Sequence, residues 1–165
     1  MTLRIVIMGV AGCGKSTVGA ALSARLGIPY RDGDDLHSPS NVEKMRAGIA
    51  LTDADRWPWL AAVAAELEDH APMIIGCSAL KRVYRDHIRE GAGGPVTFVH
   101  LSGSRALIAA RMQHRPGHFM PLSLLDSQFA ALEPPTASEG LSVDIEPPIS
   151  AITETILAAL KGQTE

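Results

Sequence analysis

The 165-residue chain has the length of one compact domain, and with 46% hydrophobic and 20% charged residues it can bury a substantial core. Its 15 Lys and Arg against 18 Asp and Glu leave a net charge of −3, which excludes a non-specific nucleic-acid coat and a module held to anionic membranes by charge. An aromatic content of 4% excludes base- or sugar-stacking platforms, and no apolar run approaches the roughly 18 residues of a membrane span.

Taken in chain order, strands and helices alternate. Residues 3–8 are apolar and β-branched. They follow a charged start as a signal peptide would, but the run is too short and empties into Gly9-Val10-Ala11-Gly12. It reads as a strand covered on both faces. Residues 15–26 carry Val18, Ala21, Leu22 and Leu26 at helical spacing, and stop at Gly27 before Pro29. A short strand at 30–31 runs into Asp32-Gly33-Asp34-Asp35, and a helix is expected around 41–47.

Thr52-Asp53-Ala54-Asp55 resembles a capping box ahead of a helix over 57–67, with Pro58 expected in its first turn. A strand at 73–77, a charged helix at 81–90, a Gly/Pro turn, a strand at 96–101 and a helix at 104–115 follow. Residues 114–121 read as a polar loop broken by Gly and Pro, then a helix at 122–132, a strand at 141–145 and a last helix from Pro148 to about residue 160. Five strands alternating with helices imply one domain with a parallel sheet between helix layers. Cys13 and Cys77 fit neither a disulfide framework nor a zinc pattern, and suit a reducing, cytoplasmic setting.

Gly9-Val10-Ala11-Gly12-Cys13-Gly14-Lys15-Ser16 matches G-x-x-x-x-G-K-[ST] at every position, between an expected strand and an expected helix. Glycines let backbone N–H groups converge on phosphate oxygens, and the helix behind aims its positive end at the same anion. Residues Gly9 to Thr17 are therefore the expected nucleotide cradle: Lys15 places a cation at the transferring phosphate, and Ser16 offers a hydroxyl to Mg²⁺. Neither N/T-K-x-D nor D-x-x-G occurs, which removes a switch GTPase. Gly76-Cys77-Ser78 stands where a metal-binding aspartate could end the strand, so the carboxylates must come from elsewhere.

Asp32, Asp34 and Asp35 supply them. At a strand's carboxyl end one can support Mg²⁺ through water while another orients an attacking hydroxyl and takes its proton. Lys81 and Arg85 share a face of the charged helix and could grip an anionic acceptor. Arg111, Arg115 and His118 around Pro116 and Gly117 suit a bending lid that closes on the transferring phosphate. Each cluster is also compatible with an ordinary solvated turn, helix face or loop.

Five segments resemble the small gluconokinases related to shikimate kinases. They are GVAGCGKST from Gly9, DGDDLHSPSNVEKMRAGIALTDADRWPWL from Asp32, CSALKRVYRDHIRE from Cys77, RMQHRPGHFMPLSLLDSQFAALEPP from Arg111 and VDIEPP from Val143. Cys13 and Ala50 depart from the expected serine and proline, at positions without an assigned chemical role. The resemblance implies a three-layer α/β/α P-loop fold with a mainly parallel five-stranded sheet, acceptor-binding helices at about 33–70 and a lid at about 114–121. It implies ATP- and Mg²⁺-dependent phosphorylation of D-gluconate at its 6-hydroxyl by a cytoplasmic, often homodimeric enzyme with no nucleic-acid or membrane partner.

By the same resemblance Asp34 meets the acceptor hydroxyl and Asp32, with Ser16, serves the metal. Arg56, Lys81, Arg85, His118 and Gln128 line the acceptor site, while Arg111 and Arg115 belong to the nucleotide and lid side. Lys15, Asp34 and Arg115 carry the catalysis. The alternatives are another small-metabolite kinase of the same fold, and a nucleotide-binding regulatory module without turnover.

Overall fold

The computed structural model describes residues 2–113 and 122–164. Every residue from Ile5 to Met8 is wholly buried, and successive side chains of this strand, β1 (Arg4–Met8), leave in opposite directions. Ile5 and Ile7 pack with Val18 and Leu22 of α1 (Lys15–Leu26), Ile108 of α5 (Arg105–Gln113) and Ile152 and Ile156 of α7 (Ile149–Thr164). Val6 and Met8 pack with Leu60, Val63 and Leu67 of α3 (Asp53–His70) and with Tyr84 and Ile88 of α4 (Arg82–Gly91). A strand apolar on both faces thus becomes the middle of a three-layer sandwich.

The sheet is parallel throughout, in the order β2 (Tyr30–Asp32), β3 (Met73–Gly76), β1, β4 (Thr97–Ser102), β5 (Gly140–Asp144). β1 and β3 are neighbours, yet the helix after β1 covers one face and the helix after β3 the other. That divergence opens a crevice at the carboxyl ends of the two strands, where such folds hold ligands. α2 (Pro39–Arg46), capped by Ser38, and α6 (Leu122–Ala131) complete the elements.

The expected helices and strands all occur, with shifted ends. Residues 33–36 form a 3-10 turn in which the Asp34 N–H donates to the Asp32 side chain. α3 starts at Asp53, with Thr52 and Asp55 making a reciprocal capping box. Pro58 consequently falls in the second turn, and α3 forgoes the bond a residue there would make to the Ala54 carbonyl. No helix among the described residues is long and apolar enough to cross a membrane.

Candidate active site

The loop from Gly9 to Gly14 curls over the end of β1. Its glycines are required by geometry: Gly12 (φ 78°) and Gly14 (φ 99°) are left-handed, and a Cβ on Gly12 would run into Met112. The Gly9 N–H donates to the Ser78 carbonyl at 3.2 Å, tying the loop to the end of β3. Lys15 folds its ammonium across the loop, donating to the carbonyls of Gly9 (3.0 Å) and Val10 (3.1 Å). Ser16 and Thr17 are exposed on the first turn of α1, which contains no acidic residue to compete with an anion. The Cys13 side chain is buried in the core beneath the loop.

Asp32 ends β2 half-buried. Burial raises its carboxyl above the ordinary value, and the charges of Asp34 and Asp35 add to this against the pull of Lys15 and the Asp34 amide. Behind it Tyr30 is wedged so tightly that a Cβ on Gly19 or Gly76 would strike its ring or hydroxyl. Burial pushes the Tyr30 phenol up to about 12. Asp34, at 64% side-chain exposure, faces a cleft that it lines with Lys15, His37, Arg56, Trp59 and Gln128.

Arg56 reaches the cleft from the first turns of α3. Its Nη1 donates to the Leu51 carbonyl at 2.6 Å and lies 3.8 Å from Asp53, and its guanidinium sits 5.2 Å from the centre of the Tyr84 ring. From the opposite wall, Gln128 of α6 accepts the Ala11 N–H at 2.7 Å. Asp34, the loop lysine and the partly shielded Arg56 cation therefore line one cleft from elements far apart in sequence.

A second cavity, of about 370 Å³, lies on the other side of the loop. It runs along Gly12 to Gly14 and Thr17 and is walled by Arg111, Ile145, Ile149 and Ile152. Arg111 is held there by a 2.9 Å bond from Nη2 to the Ile145 carbonyl. Its walls are largely aliphatic, which suits the flat, weakly polar end of a nucleotide.

Two expected acceptor contacts do not reach the cleft. The Arg85 side chain is 1% exposed: Nε donates to Glu139 at 2.8 Å, and Nη1 donates to the Ala79 (2.8 Å) and Leu80 (3.2 Å) carbonyls. Arg85 is thus a structural clamp on the turn after β3, where Ala79 holds φ at 42°. Burial alone would raise the Glu139 carboxyl, but Arg85, the Thr136 amide and Arg89 draw it down to about 2. Lys81 precedes α4 with its ammonium 5.7 Å from the centre of the Tyr84 ring, outside the residues lining the cleft. Arg115 and His118, with the whole expected lid at 114–121, lie outside the described residues.

Conversely, His37 and Trp59 line the cleft without a site role expected from sequence, and Ser78, noted only for the aspartate missing there, lines it too. His37 and Trp59 both lie within the segment that begins at Asp32, where neither carries a local signal of a cleft position. Nothing near Glu139 signalled its pairing with Arg85, 54 residues away.

Comparison with known proteins identifies the family. The shikimate kinase family model matches residues 11–128. The gluconokinase of Gluconobacter oxydans (strain 621H) is 50% identical over 139 residues, covering 82% of this chain and 78% of that protein. The thermosensitive gluconokinase of Escherichia coli (strain K12) is 44% identical over 156 residues, covering 90% and 82%. The crystal structure of a gluconokinase from Sinorhizobium meliloti 1021 superposes with a TM-score of 0.91 at 49% identity, covering 98% of this chain and 93% of that one. With a phosphate loop, an acidic turn and a cationic cleft at one sheet edge, and relatives alike over most of their length, the chain belongs to the gluconokinase family on a shikimate kinase fold.

Proposed function

We propose that the protein transfers the terminal phosphate of ATP to the 6-hydroxyl of D-gluconate, giving 6-phospho-D-gluconate and ADP. The observation that carries this reading is the shared cleft of Lys15, Asp34 and Arg56 at the mouth of the phosphate loop. An aldonate has one carboxylate and a chain of hydroxyls. Arg56 supplies the cation for the carboxylate, and Asp34 meets the reacting alcohol within the same space.

In the reaction the alcohol oxygen forms a bond to the terminal phosphorus, the bond to ADP breaks and one proton is released. Asp34 is placed to orient the alcohol and take that proton. Lys15 exchanges its two loop carbonyls for the phosphate oxygens and follows their charge. The second cavity takes the nucleoside end, with Arg111 at its wall.

Among the described residues no group of three His, Cys, Asp or Glu could hold a metal unaided. Mg²⁺ keeps waters and phosphate oxygens and needs one or two protein contacts. Ser16 and the half-buried Asp32 carboxylate are the residues that would hold it, and when bound it neutralises charge on the phosphate oxygens. ADP release measured over a panel of sugar acids, shikimate and nucleoside monophosphates tests the assignment. Gluconate should give the highest kcat/KM; a higher value for shikimate or a nucleoside monophosphate overturns it.

A further inference from the structure

His37 is a polar residue of the acceptor cleft whose side chain is almost wholly buried. It follows the 3-10 turn, lines the cleft while only 3% exposed, and stacks on the Trp59 indole with ring centres 3.9 Å apart and planes 19° from parallel. Trp59 is itself fixed by a 2.8 Å bond from its Nε1–H to the Gly33 carbonyl. The imidazole is therefore held in one plane by the turn that carries Asp34.

Its proton can be placed by chemistry. The Asn41 amide atom lying 2.9 Å from the Asp55 carbonyl must be the NH₂ group, since a carbonyl only accepts. The same nitrogen lies 3.2 Å from His37 Nδ1, so its second hydrogen points there and Nδ1 must accept. The ring proton is then on Nε2, which faces Asp34 Oδ1 at 3.9 Å. That separation is too long for a direct hydrogen bond. A hydroxyl oxygen seated between the two can accept from Nε2–H and donate to the carboxylate.

We infer that His37 is a specificity-determining residue of the acceptor site: a neutral imidazole, locked by Asn41 with its proton on Nε2, that donates to a substrate hydroxyl beside Asp34. This rests on the gluconate reading above. Neutrality matters because an imidazolium would pair with Asp34 and weaken it as a base. Burial, followed by the nearby Arg56 cation, lowers the His37 pKa to about 4, in keeping with that role. Asn41 acts through His37 and is a positioning residue.

The test pairs His37→Phe, which keeps the stack but loses the donor, with His37→Gln, which restores an N–H donor, and reads both against wild type. In His37→Phe, kcat/KM for gluconate should fall about 10- to 100-fold while the KM for ATP stays within twofold, and His37→Gln should recover part of the loss. Two-bond ¹H–¹⁵N correlation of the wild-type imidazole at pH 7 should show a protonated Nε2 and a bare Nδ1. A bare Nε2, or a His37→Phe enzyme within twofold of wild type on gluconate, overturns the inference alone. A wild-type enzyme that does not turn over gluconate overturns the assigned reaction, and this role of His37 with it.

Discussion

Gln128 of α6 accepts a hydrogen bond from the backbone N–H of Ala11 at 2.7 Å, joining two residues 117 positions apart. One end of the bond lies in the phosphate loop, and the other belongs to a helix that walls the acceptor cleft. The two half-sites of a phosphoryl transfer are thereby held in register. Replacing Gln128 with Leu leaves the Ala11 amide without this acceptor, at a cost of about 1–3 kcal/mol. Steady-state kinetics should show the KM values for ATP and gluconate both rising, by about five- to tenfold. A rise confined to gluconate would mean that Gln128 contacts the acceptor only.

Lys15→Ala removes the cation that the proposed reaction sets against the transferring phosphate. The expected fall in kcat is at least about a hundredfold. Calorimetric unfolding should show an intact fold that has lost about 1–3 kcal/mol, because the lysine donates to the part-buried carbonyls of Gly9 and Val10.

Asp34→Asn keeps the shape of the cleft and removes the carboxylate proposed as the base. A drop in kcat of about 10²- to 10⁴-fold with little change in the KM for gluconate is expected from single-turnover and steady-state assays. An effect on KM alone would reduce Asp34 to a binding contact.

Arg85→Met should unfold more easily rather than bind less well. Removing Arg85 strips the buried Glu139 of its nearest partner and frees the Ala79 and Leu80 carbonyls. Breaking such a pair costs about 3–5 kcal/mol, readable by urea denaturation. Where the variant remains folded, the KM for gluconate should stay close to wild type, which an acceptor contact would not permit.

Acid should destabilise the protein in two successive windows. The folded state holds His37 at about 4, below its ordinary 6.5, so the unfolded chain binds the extra proton first. Stability present above pH 6.5 is therefore lost as the pH falls toward 4. Glu139, held at about 2 against an ordinary 4.5, contributes stability above pH 4.5 that is lost as the pH falls toward 2. Melting temperatures followed from pH 7 to 3 should decline through both windows, and His37→Gln should flatten the upper one.

Much of this molecule is legible residue by residue. The apolar run ending in Met8, the glycine-spaced loop, the Thr52 cap and the helix stop at Gly27 each act through near neighbours, because hydrophobic period, capping and left-handed φ are local properties of the chain. The positions of Lys15, Ser16, Asp32 and Asp34 in the fold follow from the same local logic, since the loop and the acidic turn each sit at a strand's end. The roles of Arg85, His37 and Glu139 are of another kind. A basic helix face looks alike in sequence whether it grips a substrate or a buried carboxylate, and only packing brings Glu139 to Arg85. The proton on His37 depends in turn on Asn41, whose orientation is set by the Asp55 carbonyl. Local geometry thus determined the phosphate cradle from sequence alone, whereas the division of cations and imidazoles between core and cleft was decided by contacts that exist only once the three layers have closed.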